Sequence, residues 1–314
     1  MKRSKYIAVI VSLLMMACNN TSQVITNNIT FRDKLSEYGL FKTALVPAEG
    51  VTTIEIASTL FTDYAEKQRL LKIPAGKKVI LQGDRLPIFP DGTIIAKTFY
   101  YTKDSSRQII ETRLLLLQHN KWNAATYRWN EEQQDASLLI EGATVPVTVG
   151  KNRTIAYRIP AQTDCASCHR AGNDLCPIGP KAANLNIIVD REGVRQNQLS
   201  YLMNKGILAP ADVHAISVMP DYNDRSVSIT ARARAYLEIN CAHCHSSTGM
   251  AANTSLQLGY FTPYNQTGIE FNKQNMIIRM STMGEFHMPK IGTTIVHKEG
   301  LQLVKQYIKS LQSN

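Results

Sequence analysis

Past residue 17 the chain has no apolar run long enough to cross a bilayer, which excludes a protein threaded repeatedly through a membrane. Blocks of like charge are also absent, and nucleic acid is not an expected partner. Cysteine is scarce, with six among 314 residues. The placement of those six carries most of what the sequence says about function.

Four of them fall in two copies of one pentapeptide pattern, Cys165-Ala166-Ser167-Cys168-His169 and Cys241-Ala242-His243-Cys244-His245. Cys-x-x-Cys-His is the attachment signature of a c-type haem. Two thiols add to the haem vinyl groups, and the adjacent histidine becomes the proximal ligand of the iron. The expectation is two covalently bound haem c groups, on Cys165 and Cys168 with His169, and on Cys241 and Cys244 with His245. Cys-x-x-Cys pairs also bind structural zinc or form redox disulfides, and the four thiols together match a four-thiolate zinc site. That alternative leaves the histidine after each second cysteine without a role.

The first residues read as an export signal. Lys2, Arg3 and Lys5 precede the apolar stretch from Tyr6 to Met16, and Met15-Met16-Ala17-Cys18 has a small residue before cysteine. This is the pattern of a bacterial lipoprotein signal cut before Cys18, which is then acylated; an ordinary signal peptide or an uncleaved anchor is the alternative. Asn19 to Asn28 would form a tether. The expected location is the bacterial periplasm, lipid-anchored to a membrane. Export agrees with haem, which is joined to this motif outside the cytoplasm. With Cys18 lipidated and four cysteines in thioethers, Cys176 remains, beside Pro177, as a small packing residue. Loss of Lys2, Arg3 and Lys5 takes the formal charge from +10 to +7. Such a balance suits docking to an acidic partner protein or anionic headgroups.

Further along, Lys78 to Leu81, Thr93 to Tyr101 and Ile109 to Gln118 are rich in branched and aromatic residues, punctuated by Pro74-Ala75-Gly76, Pro90-Asp91-Gly92 and Glu141-Gly142. Trp122, Tyr127 and Trp129 are expected to pack in or near a core. Helical periodicity is expected in Gly193 to Gly206, in Thr230 to Leu237 and along Leu301, Val304, Ile308 and Leu311. The expected fold is α+β and multidomain: an all-β sandwich or small barrel followed by two mainly α-helical cytochrome c-like haem domains. The divisions are signal peptide 1–17, tether 18–28, β-rich domain 29–157, first haem c region 158–227 and second cytochrome c-like domain 228–314.

Sixth ligands are sought among soft or imidazole donors. Met288, before Pro289, is the choice for the second haem, with Met280 and Met283 as rivals; the neighbouring His287 is expected at the surface. Met219, before Pro220, is the parallel choice for the first haem, with Met203 and His214 as rivals or an open sixth position.

Other strings extend the pattern: Phe89-Pro90-Asp91-Gly92-Thr93 with Lys97-Thr98-Phe99, Ile178-Gly179-Pro180-Lys181 with Leu185-Asn186, and Gln196-Asn197-Gln198-Leu199. The most specific is Arg232-Ala233-Arg234-Ala235-Tyr236-Leu237 leading into Asn240-Cys241. In these strings the chain resembles the bacterial dihaem c-type cytochromes that carry a β-rich N-terminal region. The resemblance implies dihaem electron transfer. The expected partners are a periplasmic dehydrogenase and a respiratory cytochrome. The alternatives are a peroxidase-type dihaem enzyme, or a β-domain recognition module wired to the haems.

Overall fold

The computed structural model describes residues 29–103, 106–150 and 153–311. The export signal, Cys18 and the tether lie outside the described residues. A short hairpin, β1 (Phe41–Thr43) and β2 (Val46–Pro47), leads into a six-stranded antiparallel meander. Its strands are β3 (Val51–Thr53), β4 (Glu66–Lys72), β5 (Ile94–Lys103), β6 (Ser106–Gln118), β7 (Lys121–Trp129) and β8 (Ala136–Leu139), paired in chain order. The turn between β6 and β7 is two residues, His119 and Asn120, both with φ near +55° (54° and 56°), as in the primed turns that match strand twist.

Alternation along the strands divides two cores. Leu70, Ala96, Leu114 and Ala125 turn to one face and pack against the N-terminal segment through Phe31, Leu35 and Leu40. Leu71, Ile95, Leu115 and Leu117 turn to the other and meet Leu185, Leu199 and Leu202. Farther along that second face, Phe99, Tyr101 and Ile110 lie under the hairpin of β9 (Ala143–Val149) and β10 (Arg153–Ile159). Tyr127 and Trp129 are buried, as expected, while Trp122 is half-buried with its ring edge-on to Phe89.

After β10 come α1 (Cys165–His169), the hairpin β11 (Arg170–Ala171) with β12 (Asp174–Leu175), and α2 (Ala182–Leu185). A second hairpin, β13 (Ile188–Arg191) with β14 (Val194–Asn197), precedes α3 (Gln198–Asn204). The three longer helices are α4 (Ile229–Asn240), α5 (Ile269–Ser281) and α6 (Lys298–Ser310).

This architecture corrects the expected fold. The β region is an open meander and neither a sandwich nor a barrel, and two mainly helical haem domains are not formed. Around the first motif the helices have five, four and seven residues and are interleaved with hairpins that pack on the sheet. One cause is local. Glu192 and Gly193 both take positive φ (57° and 77°), closing a two-residue turn at the start of the stretch Gly193 to Gly206, in which helical periodicity was expected. The helix starts instead at Gln198, where the Asn197 side chain caps the Ser200 N–H at 3.1 Å. Lys78 to Leu81 makes only isolated bridges, Val79 to Leu208 and Ile80 to Ile88.

Buried amides hold the pieces to one strap, residues 54–62. Asn184 Oδ1 accepts from the Ser58 N–H at 2.9 Å, Gln198 Oε1 from the Glu55 N–H at 2.8 Å, and Asn240 Oδ1 from the Phe61 N–H at 2.8 Å. Asn240 also donates to the Tyr236 carbonyl at 3.0 Å. Arg234, buried on the same helix, donates to the carbonyls of Gly259 and Thr262 at 2.6 and 2.7 Å. Replacing Asn240 with leucine strands the buried Phe61 N–H. The expected cost is about 1–3 kcal/mol of folding stability, read by urea denaturation.

Candidate functional site

The two Cys-x-x-Cys-His motifs reach their places by different routes. The first is itself α1, delivered by the end of β10 through a short 3-10 turn, Gln162–Asp164. The second follows α4 directly and closes one turn, with the His245 and Cys244 N–H groups both donating to the Cys241 carbonyl (2.8 and 3.1 Å). The motifs then touch: Cys244 Sγ lies 3.5 Å from the Ser167 carbonyl, and the Gly172 N–H donates to the Thr248 carbonyl at 2.9 Å.

Each motif opens on its own cavity. The first, lined by Cys165, Cys168 and His169, encloses ≈ 1490 Å³ with its open mouth; the second, lined by Cys241, Cys244 and His245, encloses ≈ 1300 Å³. Cys168, His243 and the segment Pro289-Lys290-Ile291 line both cavities and so form a shared wall.

The histidines are set for ligation. His169 Nδ1 lies 2.8 Å from the Cys176 carbonyl, which only accepts, so the proton sits on Nδ1 and Nε2 keeps its lone pair. Burial lowers the His169 pKa to about 3, with Lys97 adding to the effect, so the ring is neutral. His245 Nδ1 lies 3.2 Å from Thr254 Oγ1, and burial lowers its pKa as well. The role of Cys176 is thus through its backbone carbonyl as well as packing, a role that residue type alone does not announce.

The thiols behave unlike those of redox or metal centres. Burial pushes Cys165 up to about 11 and Cys241 and Cys244 up to about 12, and raises Cys168, whereas reactive cysteines have lowered values. All five described cysteines are unpaired. Among the described residues no three histidine, cysteine or carboxylate side chains converge on a point, so the four thiols do not make a preformed zinc site.

One wall of the first cavity is a row of cations. Arg69 on β4, Lys97 on β5 and Arg113 on β6 are direct register partners, and all three line the cavity. Arg113 pairs with the buried Glu111 at 2.5 Å, and Tyr157 donates to the same carboxylate at 2.6 Å. Arg69 and Lys97 form no ion pair among the described residues. Burial, with Arg113 and Arg69 beside it, lowers Lys97 to about 7. Like charges opposite one another destabilise a sheet. Two carboxylates on a bound macrocycle would offset this row, and a haem carries two propionates. At the first motif the row, the neutral His169 and the two thiols are donors and charges of the kind that would suit a haem; at the second, His245 and two thiols are.

Met288 lines the second cavity with Met280, while Met283 is exposed and lies away from it. The Met288 N–H donates to the Arg279 carbonyl at 2.9 Å. His287, expected at the surface, is buried: Nδ1 donates to the Thr282 carbonyl at 2.6 Å and Nε2 accepts from Thr293 Oγ1 at 3.2 Å, clipping the loop that carries Met288. The choices for the first haem land elsewhere. Met219 is buried in the helical core beside Ala183 and Tyr222, Met203 takes the Ala211 N–H on its sulfur at 3.3 Å, and His214 is exposed; none lines the first cavity.

Two measurements test this electrostatic reading on haem-free protein. Replacing Lys97 with methionine should raise stability at pH 7 by about 1 kcal/mol, because a like-charge contact and a buried cation are removed together. Stability of the haem-free chain should also fall on acidification. His169, His243 and His297, lowered to about 3, 4 and 4, stay neutral in the fold while the unfolded chain protonates near 6.5. Their contribution is complete above about pH 6.5 and is lost toward pH 3–4, at up to about 1.4 kcal/mol per histidine per pH unit. Urea titrations at pH 7, 6 and 5 (about one step apart) would read the slope.

No protein-family model, no curated protein and no solved structure matches the chain.

Proposed function

We propose that the chain is a dihaem c-type cytochrome that carries electrons one at a time outside the cytoplasm. In this reading it is held at a membrane by a lipid on Cys18 and exchanges electrons with a dehydrogenase and a respiratory cytochrome. The observation that carries the reading is the contact between the motifs: two attachment pentapeptides, distant in sequence, meet at Cys244 and Ser167 and open on adjoining cavities. A single motif with a cavity suits many roles. Two cavities with a common wall suit a relay.

A bound haem supplies a reversible one-electron couple, and the protein supplies ligands, burial and orientation. Here Cys176 and Thr254 fix the tautomers of His169 and His245. The Arg69-Lys97-Arg113 row would hold the propionates of the first haem. His287 fixes the loop that offers Met288 to the second, a neutral thioether that favours the ferrous state. The basic balance of the chain suits an acidic redox partner.

Protein made with the c-type maturation apparatus should give two haems per chain by the pyridine haemochrome spectrum. Replacing Cys165 and Cys168 together with alanine should leave one, and so should replacing Cys241 and Cys244. Absence of covalent haem in the unaltered protein would overturn the proposal.

A further inference from the structure

We infer that His243, the residue between the cysteines of the second motif, is the sixth ligand of the first haem. The inference rests on the dihaem reading and names the residue that joins its two centres.

The geometry begins in the turn Cys241–His245. Successive residues of a helical turn are about 100° apart, so His243 and His245 project about 200° apart, on opposite sides. His245 belongs to the haem of its own motif. His243 therefore projects to the side of the turn opposite His245, and the turn it sits on is packed against Ser167 of the other motif. Its ring lines the first cavity as well as the second.

The choice is narrowed by what else lines the first cavity. Among the described residues no methionine does, and besides His169 the only imidazole there is His243. The remaining basic side chains on the wall are Arg69, Lys97, Arg113, Arg158 and Lys290. Lys97 stands in the row with Arg69 and Arg113, where propionates would lie, and Lys290 is exposed with its Nζ donating to the Glu285 carbonyl at 3.3 Å. His243 is also one of the buried groups whose polar needs the fold does not fully meet. Its Nδ1 is buried without a well-aligned hydrogen bond, and the Ile239 carbonyl is the backbone group that acts on the ring. A buried polar atom left in that state is uncommon in native proteins and calls for an explanation. Ligation supplies one: iron on Nε2 polarises the ring and strengthens donation from Nδ1 to a carbonyl.

His243 is one peptide bond from Cys244, a thioether site of the second haem. The iron of the first haem would then be linked to the second macrocycle through one side chain and one residue step. A bound haem would supply a reversible one-electron couple, and His243 and Cys244 would hold the two groups one residue apart.

The test uses the full chain, matured with haem, as wild type, His243→Ala and His243→Met. Haemochrome counting comes first, then electron paramagnetic resonance and near-infrared magnetic circular dichroism, which identify the axial pair at each iron. The wild type should contain a bis-histidine centre. His243→Ala should keep two haems per chain while one becomes high-spin and takes up one equivalent of carbon monoxide or imidazole. His243→Met should replace the bis-histidine signature with a histidine–methionine one at a higher potential. Two haems without a bis-histidine centre in the wild type, a histidine–lysine centre included, would overturn the assignment and leave the dihaem reading standing. So would unchanged low-spin spectra in His243→Ala. If the alanine chain fails to mature, the wild-type spectrum alone decides. A wild type without covalent haem would overturn both.

Discussion

A row of like charge decides how the sheet can be covered. Arg69, Lys97 and Arg113 stand side by side on three neighbouring strands, and only Arg113 has a carboxylate of its own. Leu71, Ile95, Leu115 and Leu117 share that face and are covered by Leu185, Leu199 and Leu202 in the ordinary way. Over the cations, close packing of apolar side chains would bury unpaired charge, at a cost of several kcal/mol per ion. The first motif, the strap 54–62 and the loop 289–294 therefore stand around the row as walls, and a cavity remains.

The second cavity is held open by other means. Its floor is helical, with Leu237 on α4 and Met276 and Met280 on α5, and its rim is the loop clipped by His287. What unites the two is the seam of Cys168, His243 and residues 289–291, where each motif contributes to the other's surroundings. Buried amides such as Asn184, Gln198 and Asn240 fix the strap to α2, α3 and α4, so the sheet and the helices position one another through directional bonds. Directional bonds of this kind set distances more sharply than apolar contact does.

Strongly periodic or chemically specific parts of this arrangement were legible in the sequence. The branched and aromatic stretches Thr93 to Tyr101 and Ile109 to Gln118 form β5 and β6, the periodicity before Cys241 forms α4, and the last amphipathic stretch forms α6. The residues of both motifs line cavities, and Met288 lines the second. What failed was whatever depended on distant partners. Met219 carries the same Met-Pro step as Met288, yet its N–H is bonded to the Ala183 carbonyl and its side chain fills a core. The cation row is created by register, which local composition does not specify; its one trace is a lysine on the inward parity of β5. The Glu192-Gly193 turn was visible as a helix breaker only once the flanking strands were paired. Fold class was misread for the same reason, since short helices among hairpins carry weak periodicity.

The walls of the first cavity come from widely separated stretches: the strap, strands β4 to β7, the first motif, His243 and residues 289–294. A chain that emerges from its N-terminus presents the sheet and the first motif early, with that chamber still unroofed. The roof arrives with the last few dozen residues. Until residues 289–294 are in place, no part of the chain covers that side of the first cavity.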